Sequence, residues 1–322
     1  MVVAFVAEKP SVAELIAREL GADRKEADAW RSPEVWVTWL VGHVGELAEP
    51  GDIRPQWRRW TLEDLPILAV PPWRVAEAGR TRFEAAARVV RAAEVERVVC
   101  ATDAGREGEL IFRSFAELAG LAKPVERLWV SSLTTAGLRA GLAALRPLAD
   151  YDGLARAAQG RAWIDWWLGM NASRALSLTH AGRLSAGRVQ TPTLAAVVAR
   201  DRAIAAHAPP LKHRVDVDFE GATSFSGSAH RPEAPLPGSL DFDPADERAG
   251  AAGIGEEVYV DAVETEDVEV PPPPFYDLDG LQQAAFRKHR FSARRTLELA
   301  QNLYERRLLT YPRTESTHIG PE

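Results

Sequence analysis

One short segment constrains the fold of this chain more than any other, because a strand, an acidic turn and a helix follow one another in it without a break. Residues 98–102 form an apolar run rich in valine, which is typical of a buried strand. The acidic turn, residues 103–109, then carries the carboxylates of Asp103, Glu107 and Glu109 before a helical pattern begins. Carboxylates this close repel one another unless a cation or a basic group lies among them. The turn is therefore either a solvated acidic loop or a Mg²⁺ site at the carboxyl end of a strand.

The composition limits the classes of protein to which the chain can belong. Its 322 residues, 46% of them hydrophobic and 26% charged, are enough for two or more globular domains with their own cores. The single cysteine, Cys100, excludes an intrachain disulfide and any multi-cysteine zinc site, and it suits a reducing cytosol. The longest apolar runs are far shorter than a membrane span, so no membrane partner is expected.

The net charge of −7 argues mildly against nucleic-acid binding, but the charges are segregated along the chain. Residues 280–322 carry eight basic side chains against four acidic ones. The basic residues of this segment are Arg287, Lys288, Arg290, Arg294, Arg295, Arg306, Arg307 and Arg313. A site for a polyanion is therefore expected in this part of the chain.

The first 120 residues alternate between strand patterns and helix patterns. Strands are predicted at 2–7, 35–41 and 95–102, and helices at about 10–20, at about 80–93 and from the acidic turn to about residue 119. This alternation predicts an α/β layer with a mostly parallel sheet. Ligands of such sheets bind beyond the carboxyl ends of the strands. Because Glu8 and the acidic turn both follow strands, we expect them to share one site.

The middle of the chain is predicted to be helical and then to change to a small antiparallel β region. A helical pattern covers 153–206, and alternating apolar residues follow at 215–219 and 258–260, with a loop at about 227–253 between them. The prolines at 271–274 form a stiff linker. Three tryptophans of the helical stretch are interpreted as packing residues rather than base-stacking groups: Trp163, Trp166 and Trp167.

A break in the helical pattern, called the interhelical loop here, covers residues 184–193. Its small residues let the backbone approach a ligand closely, and Arg188, Gln190 and Thr191 have side chains that can hold a phosphate. The alternative is a polar connection between two helices, in which Pro192 opens the second one.

The basic segment ends in a tyrosine with an unusual setting. Tyr311 is followed by Pro312, which fixes the backbone, and by Arg313. A phenol has a pKa of about 10, and a neighbouring guanidinium would favour the phenolate and could bind a phosphate through two N–H groups. Two helices are predicted before it, at 281–290 and after the capping residue Ser292. The second helix is expected to bury Leu297, Ala300, Leu303, Tyr304 and Leu308.

Taken together, these segments resemble the type IA DNA topoisomerases, and among them the bacterial topoisomerase III group. The motifs that carry the resemblance lie in the same order along the whole chain, at 5–11, 41–47, 101–109, 128–134, 185–194 and 309–314. No P-loop motif for ATP is present, which agrees with an ATP-independent reaction.

The resemblance implies a multidomain α/β + α + β protein. An N-terminal Toprim domain with a Rossmann-like parallel sheet would precede partial domains of the topoisomerase ring. The expected segments are a Toprim domain at 1–150, a helical DNA-groove segment at 151–208, a small antiparallel β segment at 209–273 and the start of the helical domain with the catalytic tyrosine at 274–322.

The resemblance also implies an isomerase that cleaves and religates single-stranded DNA. Tyr311 would form a 5′-phosphotyrosyl link, and the enzyme would relax or decatenate DNA, including underwound duplex DNA, in the bacterial cytoplasm. Glu8 would act in acid–base chemistry or bind metal. Lys9 would neutralise the phosphate or protonate the leaving 3′ oxygen. Arg313 would orient the phosphate beside Tyr311.

The implied cofactor is Mg²⁺, which would be held by Asp103 and Glu107 together with Glu8 and would support religation. Glu109 is expected to lie behind these ligands and support them. The groove for the DNA strand would be lined by Ser185, Gly187, Arg188, Gln190 and Thr191.

The chain departs from the family pattern in two places. Gly105 stands where the broader family pattern has a second acid, a variant that resembles the topoisomerase III relatives, and we expect it to adopt a backbone conformation that an Asp would resist. The relatives continue for roughly as long again beyond Glu322. The chain is therefore expected to be an incomplete form that needs a complementing C-terminal polypeptide for strand passage.

Two other functions remain open on the residues alone. Another Toprim enzyme, a primase or a metal-dependent nuclease, would use Glu8 and the acidic turn but would not need Tyr311. A DNA-binding fragment without catalysis would bind through residues 280–322 in a salt-dependent manner and form no covalent adduct.

Overall fold

The structure is a computed structural model. It describes residues 1–180, 182–208, 216–221, 224–228 and 266–318. The chain divides into two compact units, one formed by residues 1–192 together with 273–322, the other by residues 193–272. None of the helices in the described part of the chain combines the length and the apolar character needed to span a bilayer.

Strands and helices alternate in the first unit. Its strands are β1 (Val2–Ala7), β2 (Arg24–Lys25), β3 (Trp30–Arg31), β4 (Val35–Trp39), β5 (Gly45–Leu47), β6 (Trp73–Val75), β7 (Val95–Ala101), β8 (Val125–Arg127) and β9 (Arg146–Pro147). The α-helices of the described residues are α1 (Pro10–Glu19), α2 (Pro50–Ile53), α3 (Arg80–Arg91), α4 (Arg106–Leu118), α5 (Thr135–Ala143), α6 (Asp152–Thr179), α7 (Gln190–Ala205), α8 (Leu278–His289) and α9 (Ala293–Glu305).

Seven of these strands form one sheet in the order β2-β3-β4-β1-β7-β8-β9. The central strands β4, β1, β7 and β8 are parallel, and the strands at both edges are antiparallel. The predicted mostly parallel sheet is therefore confirmed. Ala7 pairs with Trp39 on one side and with Ala101 on the other, so the carboxyl ends of three strands meet at one edge.

Both faces of the sheet are covered, as the successive residues of β1 show. Ala4 and Val6 belong to a core shared with α3 and α4, whereas Phe5 and Ala7 belong to a second core shared with α1, α5 and α9. This alternation follows from the two-residue period of a strand. The second core includes Tyr304 of α9, so the C-terminal helix packs against the α/β layer.

The helix α9 begins at the predicted cap, where the Ser292 hydroxyl accepts a hydrogen bond from the Arg295 N–H at 3.1 Å. The expected burial of Leu303 and Leu308 is wrong, because these side chains are 42% and 71% exposed. Leu303 lies beside the buried stripe of the helix, and Leu308 follows its end. The buried stripe has the i, i+4, i+8 spacing of one helix face and consists of Thr296, Ala300 and Tyr304.

The tryptophans of α6 hold the long loop that precedes α3. The Trp166 indole N–H donates to the carbonyl of Ala48 at 3.1 Å, and the Trp167 N–H donates to Ala69 at 2.8 Å. Trp163 lies with its ring centroid 6.1 Å from that of Trp167. The predicted packing role is therefore confirmed for the rings that make these contacts.

The second unit contains an antiparallel pair of strands, β10 (Asp216–Phe219) and β11 (Phe225–Ser228). Strand β10 matches the predicted strand at 215–219, whereas its partner β11 was not predicted as a strand and overlaps the start of the predicted loop. The predicted strand at 258–260 and most of the predicted loop at 227–253 lie outside the described residues. Residues 271–274 have no regular secondary structure, as expected for a linker.

Candidate active site

The sheet brings two carboxylates together at the adjacent ends of β1 and β7. Glu8 follows β1, and Asp103 lies two residues after β7. The Asp103 backbone N–H donates to Glu8 Oε2 at 3.3 Å, and both residues are only 9% exposed. The expectation that the two strand ends share one site agrees with this geometry.

A lysine balances the charge of this pair. Lys9 Nζ lies 3.0 Å from Asp103 Oδ2 and 3.9 Å from Glu8 Oε1. Burial raises the pKa of Glu8, and the negative charge of Asp103 raises it further, while Lys9 and Arg313 act in the opposite direction. An additional positive charge, whether a metal ion or a basic group, would therefore be stabilised here.

Tyr311 lies against the same carboxylates although it is more than 200 residues away in sequence. Its N–H donates to the Ser131 carbonyl at 3.3 Å, and its half-buried ring meets the ring of Tyr304 edge-on, with centroids 5.5 Å apart. The second core thus fixes the backbone and the ring of Tyr311.

The environment of Tyr311 keeps its hydroxyl protonated. Burial raises the pKa of this phenol above its ordinary value, and the charges of Asp103 and Glu8 raise it further. Arg313 lowers the pKa, as expected of a neighbouring guanidinium, but burial and the two carboxylates have the larger effect, so the net shift is towards the protonated phenol.

Glu107 lies apart from the two buried carboxylates. Its side chain is 60% exposed, and its Oε1 is 2.7 Å from Nε2 of His43. His43 belongs to the motif at 41–47, but no role for it follows from the sequence pattern. Among the residues that the structure describes, no group of three or more His, Cys, Asp and Glu side chains is arranged to hold a metal ion. Glu8 and Asp103 supply the oxygen donors that Mg²⁺ prefers, so they fit such an ion, whereas Glu107 would have to leave His43 to join them.

Glu109 is a structural neighbour of the pair and not a ligand facing it. Its side chain is fully buried, and its Oε1 accepts a hydrogen bond from Nε of Arg127 at 2.7 Å. Arg113, one helical turn further on, contacts the other oxygen at 3.4 Å. Arg127 is the residue that sequence reasoning missed, because an arginine at the end of a short strand gives no signal of being buried.

The two glycines of the acidic turn have opposite roles. Gly105 is extended, with φ 169°, and a Cβ there would meet open space, so the expectation that this position needs glycine is wrong. A Cβ on Gly108 would instead lie 2.0 Å from the carbonyl oxygen of Asp103. The first turn of α4 therefore packs directly on the Asp103 backbone, and only glycine permits this approach.

The residues predicted to line a DNA groove lie at the start of α7. Arg188 forms a surface ion pair with Asp165 of α6, with Nη2–Oδ2 at 3.2 Å. The Gly187 N–H donates to Thr191 Oγ1 at 3.0 Å, and the Thr191 N–H donates back to the Gly187 carbonyl. The predicted polar side chains of this loop are solvent-exposed: Ser185, Arg188, Gln190 and Thr191.

A cavity of about 490 Å³ lies beside α6. The guanidinium groups of Arg174 and Arg183 lie 5.2 and 5.5 Å from the ring centroid of Trp60. Trp57 and Trp166 complete its aromatic lining. Aromatic rings and cations together are typical of surfaces that bind single-stranded nucleic acid, although this lining also includes the acidic residues Glu49, Asp52 and Asp165.

Comparison with known proteins identifies the family of the chain. A family model described as DNA topoisomerase matches residues 149–322, and a Toprim domain model matches residues 3–133. The chain is 37% identical to DNA topoisomerase 3 of Shouchella clausii, over 99% of this chain and 44% of that protein. It is 35% identical to DNA topoisomerase 3 of Bacillus subtilis, over 98% of this chain and 43% of the relative.

The fold is shared with a solved structure, topoisomerase I from Thermotoga maritima. The TM-score is 0.69 at 26% sequence identity, and the match covers 99% of this chain and 50% of that chain. The chain spans less than half the length of the curated relatives that it matches. Because the topoisomerase model covers more than half of its residues, the chain belongs to the type IA DNA topoisomerase family and carries a Toprim domain at residues 3–133.

Proposed function

We propose that the chain supplies the DNA-cleaving centre of a type IA topoisomerase, in which Tyr311 breaks and rejoins a single DNA strand. The observation that carries this proposal is that Tyr311, packed against the second core, lies next to the buried carboxylates of Asp103 and Glu8, with which Lys9 forms ion pairs. A nucleophile, a proton acceptor and a positive charge thus meet at one point, as transesterification requires.

The side chains of the site can account for each bond and each proton in the proposed reaction. The Tyr311 oxygen attacks the phosphorus of a phosphodiester and its proton passes to the Asp103–Glu8 pair. The bond from phosphorus to the 3′ oxygen breaks, and this oxygen takes a proton from Lys9 to leave as a 3′-hydroxyl. Arg313 orients the phosphate by charge-assisted hydrogen bonds. The reverse steps rejoin the strand, and because the ester preserves the bond energy, no nucleotide is consumed.

Mg²⁺ is the proposed cofactor, and Glu8, Asp103 and Glu107 would hold it. When bound, it supplies positive charge that offsets the phosphate and the carboxylates during religation. The exposed arginines of the basic C-terminal segment, the start of α7 and the cavity at Trp60 are the proposed contacts for single-stranded and underwound DNA in the bacterial cytoplasm.

The test is a covalent-adduct assay with an oligonucleotide labelled at either end. A 3′ label is expected to migrate with the protein after denaturation, whereas a 5′ label is expected on a free, shortened strand. Tyr311→Phe should abolish the adduct, and Tyr276→Phe, at an exposed tyrosine, should leave it unchanged. Cleavage that survives in Tyr311→Phe would identify a nuclease. A folded protein that binds DNA without any adduct would identify a non-catalytic binding fragment.

A further inference from the structure

A buried arginine lies directly behind the proposed catalytic carboxylates. Arg127 is the last residue of β8, and its side chain has no solvent exposure, nor has that of its partner Glu109. A buried charge is costly unless it is paired and hydrogen-bonded. The single ion pair to Glu109 uses only the Nε–H of Arg127, which leaves four further N–H groups to be satisfied.

Backbone carbonyls at the strand ends take up these donors. Arg127 Nη1 donates to Thr102 at 2.7 Å, to Leu128 at 2.8 Å and to Cys100 at 3.3 Å. Nη2 donates to the carbonyl of Asp103 at 2.8 Å. The Cys100 carbonyl lies within β7 and already accepts the Leu128 N–H at 2.9 Å. The carbonyls of Thr102, Asp103 and Leu128 lie beyond the strand ends, where a buried carbonyl has no partner in the sheet and needs a donor from elsewhere. Arg127 is therefore the group that holds the chain where β7 ends and the acidic turn begins.

The opposite side of the turn is held by α4. The Thr102 hydroxyl donates to the carbonyl of Gly108 at 2.8 Å, and the Glu109 N–H donates to the Gly105 carbonyl at 3.1 Å. Glu109 thereby joins the two sides, since its backbone belongs to α4 and its side chain pairs with Arg127. The carbonyl of Asp103 lies between the guanidinium and the first turn of this helix.

We propose that Arg127 and Glu109 are positioning residues, which fix the Asp103 backbone so that its carboxylate faces Tyr311 and Lys9. The expected effect on the reaction rests on the proposed DNA cleavage. The hold of Arg127 and Glu109 on the Asp103 backbone does not depend on it. Lysine cannot replace Arg127, because a single ammonium group lacks the planar fork that reaches Glu109 and the carbonyls at once.

The experiment compares Arg127→Lys with Arg31→Lys. Arg31 is a matched control in the same sheet, since it is 13% exposed, pairs with Glu26 and Asp28 and stacks on Trp36. Four quantities are measured: the Kd for a single-stranded oligonucleotide, the rate of adduct formation at saturating oligonucleotide, amide hydrogen exchange and the thermal midpoint.

Arg127→Lys is expected to slow adduct formation about 100-fold while the Kd changes less than about twofold, the size of effect that a small misplacement of a reacting group produces. Protection from exchange should be lost at residues 102–109. Arg31→Lys should lower the thermal midpoint without changing the rate. Glu109→Gln, which keeps the shape of the side chain, is a second variant in case Arg127→Lys does not fold.

Two results would overturn the inference: an unchanged rate in a folded Arg127→Lys or Glu109→Gln protein, or a rate that falls equally in Arg31→Lys. If the unmodified chain forms no adduct, the proposed function fails. The exchange data then still decide whether Arg127 holds the acidic turn.

Discussion

The acidic turn and the interhelical loop both present charged side chains beside a helix start, yet the structure treats their charges in opposite ways. In the turn, Glu109 is fully buried against Arg127, and the pair is tied to four backbone carbonyls. In the loop, Arg188 remains exposed and meets Asp165 at the surface. The Glu109–Arg127 pair fixes the position of the backbone. The Arg188–Asp165 pair leaves a cation at the surface, where it can contact a DNA phosphate.

The two ion pairs differ in their exposure to solvent. Water screens the Arg188–Asp165 pair, so its loss changes little in the fold. At the acidic turn, removal of either partner leaves a buried charge without compensation, and the backbone must move to hydrate it. A reacting group needs a fixed position, whereas an exposed group that contacts flexible single-stranded DNA needs freedom to move.

The largest effect is expected from Gly108→Ala, because its Cβ would lie 2.0 Å from the Asp103 carbonyl oxygen. The free energy of unfolding should fall by about 3 kcal/mol, and the covalent adduct should disappear. Gly105→Ala is the matched control, since a Cβ there meets open space and should leave urea denaturation unchanged. If Gly108→Ala is as stable and active as the unmodified chain, the acidic turn is not rigid and does not differ from the interhelical loop in this respect.

A double-mutant cycle separates the two ion pairs. Arg127→Met and Glu109→Met should each lower the free energy of unfolding by about 3 kcal/mol, and the double variant should cost clearly less than their sum. The corresponding cycle at the exposed Arg188 and Asp165 should show no measurable coupling. Urea denaturation of all variants provides the measurement. Equal coupling in both cycles would contradict the distinction drawn from burial.

The exposed pair of Arg188 and Asp165 is expected to affect DNA binding rather than stability. Arg188→Gln is expected to weaken binding to single-stranded oligonucleotides of any sequence and to reduce the slope of log K against log salt by about one. Its thermal midpoint should not change. Arg97→Gln, which removes an exposed arginine near the other end of β7, is the control and should bind as before. An unaltered slope in Arg188→Gln would exclude this loop from the DNA contact.

The smallest effect concerns thiol labelling. Cys100 has no solvent exposure, and burial raises the pKa of its thiol, so the reactive thiolate is scarce at pH 8. A disulfide reagent such as DTNB should label Cys100 only after denaturation. In Ser185→Cys, one additional thiol should react at once, because residue 185 is exposed. Rapid labelling of Cys100 in the native protein would show that the end of β7 opens.

The sequence predicted the elements in which apolar residues recur with a clear period. It missed the features that depend on contacts between residues far apart in the chain. Strands β1 and β7, helix α4 and the cap at Ser292 follow from local patterns, and they agree with the structure to within one or two residues. The expected burial of Leu308 failed, because helical spacing was extended past the true end of α9 at Glu305. Periodicity does not report where a helix ends unless a stop signal follows.

For the candidate site, the sequence by itself determined which chemical groups are available and that Glu8 and the acidic turn meet, because parallel strands end at one edge of a sheet. Only the tertiary structure decided their surroundings. It placed the half-buried Tyr311 where the effect of burial and of the carboxylates exceeds that of Arg313, and it paired Glu107 with His43. It also buried Arg127 behind Asp103. Such outcomes depend on desolvation and on contacts between residues far apart in the chain, and neither quantity is encoded in local spacing.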